Sequence, residues 1–182
     1  MYRKTALVAV LMSAVALGIL AIPAISVPTR MQHQTTHAQR NFVAHLSGRT
    51  WTSRVNTSVT YTIQTRAQGQ AIFHVNADMT EIKFMLIAAN IMNITMAHIH
   101  IDDGAALGPI VVWLYPHMPP AKEIPGRFDG VLSMGNITSA DLVGPLAGMT
   151  IADLVTKMMD GQAYVVVHTS QHPPGEIRGF IH

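Results

Sequence analysis

Residues 96–109 read MAHIHIDDGAALGP: His98 and His100 flank one aliphatic residue, and two aspartates and a glycine turn follow. On a β-strand successive side chains point to opposite faces, so Met96, His98 and His100 share one face while Ala97, Ile99 and Ile101 share the other. The aliphatic set predicts the core side. The two imidazoles then stand about 7 Å apart at their Cα atoms, which lets both rings converge on one ion. The competing reading is plainer: histidines on the outer face of a strand often do no more than hydrogen-bond to their neighbours.

Working outward, short apolar and β-branched runs alternate with polar turns. Residues 43–46 and 58–65 (SVTYTIQT) predict early strands, the second from its period-two alternation of Val59, Tyr61 and Ile63. Residues 70–76 and 81–88 follow as a meander about a turn at 77–80. Further strands are predicted at 91–101, 110–115 (IVVWLY) and 128–132. Between the last two, residues 116–125 carry four prolines and predict a loop, because proline cannot donate to a sheet interior. Thr138 to Asp141 and Thr150 to Asp153 have capping-box spacing. Behind the second, Ile151, Leu154, Val155 and Met158 fall at helical spacing, with Gly161 as a stop. Residues 163–169 (AYVVVHT) and 176–181 (EIRGFI) close the chain as two strands joined by a hairpin loop. The expected fold is all-β: an antiparallel Greek-key β-sandwich or barrel of about eight or nine strands with one short helix.

The first 27 residues differ from the rest. A short basic start containing Arg3 and Lys4 precedes residues 5–27, which hold no charge, the pattern of a signal peptide or membrane-anchoring leader helix. The run has the roughly 20 apolar residues a bilayer span needs, and Ala24 and Ser26 also suit cleavage. Both forms place the remainder outside the cytoplasm, secreted or anchored, with membrane contact only through this segment. Residues 28–41 are polar and aperiodic and predict a flexible spacer; residues 42–182 then form the domain.

Without the leader the chain has ten basic and ten acidic residues, which argues against a nucleic-acid partner. It contains no cysteine, so neither disulfides nor thiolate metal sites are available. All ten histidines follow the leader. Asn56, Asn93 and Asn136 begin short N-glycosylation matches.

Two neutral imidazoles suit copper or zinc but need further ligands. His168, on the apolar strand 163–169, is the best candidate for a third, with Asp102, Asp103, His117 and His172 as further options. Glu176 and Arg178, at i and i+2, are expected to form a structural ion pair. Met85, Met92, Met96, Met158 and Met159 lie in apolar runs and read as core filler. No nucleophile triad, acid dyad or phosphate loop stands out, so no catalytic residue is assigned.

Three blocks, AHIHIDDGAALGP, DGQAYVVVHT and PPGEIRGFI, together resemble the CHRD domain, the module found in chordin and in many exported microbial proteins. The resemblance covers about residues 41–182 and falls on His98, His100, Gly104, Gly108, Pro109, Gly161, Tyr164, His168, Thr169, Gly175, Glu176, Arg178 and Gly179. It departs at Asp102, where glycine is usual, and at Leu107, where asparagine commonly precedes Gly-Pro. The resemblance implies little about activity, and the leading expectation is a non-enzymatic exported module that binds an undefined extracellular protein or surface ligand. A fainter similarity to copper/zinc superoxide dismutases would place His98, His100 and His168 around copper with Arg178 as an anion guide. Their bridging histidine, zinc loop and cysteine pair have no counterpart here. A copper-dependent redox enzyme and a purely structural envelope domain are the alternatives.

Overall fold

The computed structural model describes residues 40–182. The leader, and all but the end of the spacer, lie outside the described residues together with the expectations made for them. Nine strands and one α-helix follow in the order β1 (Asn41–Ser47), β2 (Trp51–Thr52), β3 (Thr60–Tyr61), β4 (Gln68–Val75), β5 (Glu81–Ile101), β6 (Ile110–Tyr115), β7 (Ile124–Thr138), α1 (Ile151–Met159), β8 (Ala163–Thr169) and β9 (Ile177–Phe180). The architecture is the antiparallel all-β one expected.

The main sheet runs β4-β1-β9-β8-β5-β6, and β5 also pairs back with β4, so the sheet closes on itself as a barrel. Closure depends on the length of β5. Its first half pairs with β4 and β7, and its second half with β8 and β6. The sequence suggested two strands at 81–88 and 91–101; the structure has one strand of 21 residues. Asn90 (φ 55°) and Asn93 (φ 53°) interrupt the alternation between those segments. Asparagine tolerates this left-handed conformation better than most side chains, and the ladder shifts register on either side of both.

Two other expectations change. The alternation at 58–65 yields only the two-residue β3, paired with β2 in a small separate sheet. Beyond Tyr61 the chain stays extended, with Ile63 N–H donating to Gly48 O rather than entering a ladder. The strand expected at 128–132 spans all of β7, 15 residues, and includes Pro125. Because β7 pairs with β5 alone, it is an edge, where a missing N–H is tolerated.

One side of β5, β8 and β9 faces the principal core, where Ala97, Ile99, Val165, Val167 and Ile177 are fully buried. The helix belongs to that core through Ile151, Leu154, Val155 and Met158. Burying each such side chain stabilises by about 1.5–3 kcal/mol. Its start is set by the Thr150 capping box: Asp153 N–H donates to Thr150 Oγ1, and Thr150 N–H to the Asp153 carboxylate. Gly161, at φ 67°, then lets the chain turn toward β8.

All seven residues of β8 are buried, because the second side of this sheet is covered too. Trp51, Tyr164 and Val166 form a separate cluster there, with Val59, Tyr61 and Phe180 packed on it. Trp51 stacks on Phe180 at 5.2 Å and meets Tyr164 at 4.9 Å. No helix among the described residues is long and apolar enough to cross a membrane.

Candidate metal centre

The histidines lie on this second, covered side. In the β5–β8 register Met96 stands opposite His168, His98 opposite Val166, and His100 opposite Tyr164. Cross-strand partners share a face, so His98, His100 and His168 project to the same side. Their rings are 5.0–5.7 Å apart. They are 0 %, 1 % and 2 % exposed, so the expectation of an outward polar face is corrected. Their immediate surroundings come from β6 at Trp113 and from the loops that carry Gly108, Pro173 and Gly175.

One ring nitrogen from each histidine lies within 4.8 Å of the other two. Three such atoms share a point no more than about 2.8 Å from each, so small side-chain movements reach the 2.0–2.1 Å of a metal–imidazole bond. The three residues therefore form a group that could hold a metal ion.

Hydrogen bonds fix which nitrogens are free. His100 Nδ1–H donates to Gly108 O at 2.7 Å, and His168 Nδ1–H donates to Pro173 O at 2.8 Å. A carbonyl only accepts, so both Nε2 atoms carry lone pairs. His168 Nε2 lies 3.2 Å from His98 Nδ1, the one polar contact inside the trio. His98 Nε2 and His100 Nε2 are buried without any hydrogen-bond partner. Such orphaned atoms are costly unless something else satisfies them.

Electrostatics keep the rings neutral. Burial first, then the neighbouring His168 and His100, lower His98 to about 2. Burial lowers His100 to about 4, opposed by its bond to Gly108, with His168 and Arg178 adding to the drop. His168 falls to about 4 through burial, against its Pro173 bond, with Arg178 again lowering it. Neutral imidazole is the form that binds metal.

Surrounding groups hold this geometry. Tyr164 stacks on His100 at 5.5 Å and its hydroxyl accepts from Gly108 N–H at 2.9 Å, fixing the residue whose carbonyl orients His100. Trp113 meets His98 nearly at right angles, 4.2 Å between ring centres. Gly175, at φ 115°, passes so close that an added Cβ would run into Val166 and come within 3.8 Å of His168 Nδ1.

The other ligand candidates do not join the trio. Asp102, 2 % exposed, accepts from Ser53 Oγ and Arg54 N–H, both at 2.6 Å, and from Gly104 N–H at 3.1 Å. It ties the chain after β2 to the end of β5. Asp103 is exposed and caps Ala105 N–H, and His117 packs on Phe84. His172 belongs to the turn after β8, its N–H bonded to Thr169.

The expected Glu176–Arg178 pair is also corrected. The Glu176 carboxylate accepts from Thr65 Oγ1 and Thr169 Oγ1, while Arg178 donates to Ala106 O and Pro174 O. Strand β9 begins at Ile177, so Glu176 lies outside the alternation that would have aligned the two. The only ion pair among the described residues is Arg127–Asp129.

Of these features, only the unbroken apolar run of β8 signalled a sheet buried on both sides. Nothing local to Trp51 or Tyr61 marked them as a cover for Tyr164 and Val166 on that face. Residues 42–181 match the family model of the CHRD domain. A search of curated proteins returns no match.

Proposed function

The chain belongs to the CHRD domain family, and from that premise we propose that it is an exported binding module whose His98, His100 and His168 hold a copper or zinc ion. The observation that carries the metal reading is three buried, neutral imidazoles with two tautomers preset by backbone carbonyls. Backbone acceptors on Nδ1 are the second shell that orients a histidine ligand and raises its basicity. His98 completes the set by moving its proton from Nδ1 to the unpartnered Nε2, so its lone pair faces the same point as His168 Nε2.

Burial on all sides supports holding an ion over turning over a substrate, because catalytic metal sites keep an open position. The uncharged run at 5–27 supports export, by cleavage or by anchoring.

Metal analysis of the purified domain tests the reading. One equivalent of copper or zinc, bound at micromolar affinity or tighter, is expected. The His98/His100/His168→Ala variant should lose it, and a folded triple variant that retains the ion sinks the ligand assignment. A superoxide assay on the copper-loaded domain separates binder from redox enzyme; activity there would favour the enzyme.

A further inference from the structure

Resting on the metal reading above, we propose that this centre takes copper in its monovalent state in preference to a divalent ion, and that Arg178 sets the preference. Ligand type alone does not choose, since imidazole suits both zinc and copper. Charge does.

The donor set is neutral, and no carboxylate belongs to it. The two buried acids of this region are committed elsewhere, Asp102 to Ser53 and Arg54, Glu176 to Thr65 and Thr169.

Beside the donors sits a buried cation with no ion-pair partner among the described residues. Arg178 is 4 % exposed. Its guanidinium donates to two backbone carbonyls, lies 3.8 Å over the Tyr61 ring, and leaves Nε without a partner. Arg178 stands opposite Val166, on the face of the histidines. Its Nη2 and His168 Nδ1 flank one spot: a Cβ on Gly175 would lie 3.5 Å from the first and 3.8 Å from the second. Adjacent carbonyls, of Pro174 and Pro173, hold the two side chains.

A divalent ion would therefore add two positive charges to a buried space that already holds one, with no carboxylate among its donors to offset them. A monovalent ion halves the repulsion from Arg178, which scales with the ion's charge. An open three-histidine site can relieve a divalent ion by recruiting hydroxide from water. Here the three ligands are 0–2 % exposed, which disfavours that route.

The test is competition on the metal-free domain near neutral pH: Cu(I) under anaerobic, reducing conditions against a chromophoric Cu(I) chelator, and Zn(II) against a zinc chelator. Cu(I) is expected to bind roughly a hundredfold tighter or more. A smaller preference, or tighter zinc, overturns the inference while leaving the metal site standing. Failure to bind either ion overturns the metal reading itself. In Arg178→Gln the gap should shrink about tenfold through a gain in zinc affinity. An unchanged gap in the folded variant removes Arg178 from the account. Arg178→Met, which keeps apolar contact with Tyr61 but not the charge, makes the same test if the glutamine variant does not fold; the wild-type comparison needs neither.

Discussion

Lowering the pH from about 7 to about 5 should destabilise the metal-free domain strongly, and through three residues. Burial holds His98 near 2 and His100 and His168 near 4 in the folded protein, against 6.5 for an ordinary imidazole. Between those limits the unfolded chain takes up protons that the folded one refuses. Their contribution is thus fully present above about pH 6.5 and is lost as the pH falls toward about 4. At about pH 5 each histidine has crossed about 1.5 units of that window, or about 2 kcal/mol. The trio together then costs roughly 6 kcal/mol, comparable to the whole stability of many domains. Urea denaturation followed by the fluorescence of Trp51 and Trp113, with chelator present, reads this as a fall in midpoint. The His98/His100/His168→Gln variant retains the remaining histidines and should lose most of the pH dependence. A midpoint that does not move in the wild type, or that moves equally in a folded triple variant, would refute the reasoning.

Four further outcomes are expected. Asp102→Asn removes a charged acceptor shared by the Ser53 hydroxyl and backbone N–H groups, and should cost about 1–3 kcal/mol in thermal unfolding. Tyr164→Phe orphans Gly108 N–H; it should destabilise by about 1–3 kcal/mol and weaken metal binding in a titration, because Gly108 also orients His100. Gly175→Ala puts a methyl group into Val166 at a backbone angle alanine disfavours, and a melting temperature within error of wild type would contradict the crowding described. Thr150→Ala removes the helix cap and should cost about 1 kcal/mol without changing metal affinity, a control for general destabilisation.

Sequence reading succeeded where a local pattern decides the local outcome. AYVVVHT is β8 from end to end, and Thr150, Asp153 and the apolar spacing behind them set α1. The pairing of His98 and His100 with His168 was legible because alternation assigns faces before any topology is known. It failed where distant residues decide. The cover over Tyr164 and Val166, on the face of the histidines, comes from β2 and β3, two residues each, whose aromatic side chains carry no signature of what they cover. The continuity of β5 was hidden because Asn90 and Asn93 break its period, and the sheet around them restores it. Glu176 and Arg178 looked paired because opposite charges two residues apart invite that reading. One partner of each comes from the loops at Thr65 and Ala106, which sequence distance conceals.

The burial of the three histidines also bears on time. An ion could not reach three nitrogens buried this deeply by diffusion through packed side chains, so entry and exit would wait on opening of the loops that carry Gly108 and Pro173. Exchange should then proceed at the rate of a local unfolding event and be insensitive to the concentration of a competing chelator once that is in excess. Asp102→Asn, by loosening the start of the loop that leads to Gly108, should speed release more than it lowers affinity. On the metal reading, loading would be easiest while the chain is still folding, and an ion acquired then would be kept by slow escape as well as by the strength of its bonds.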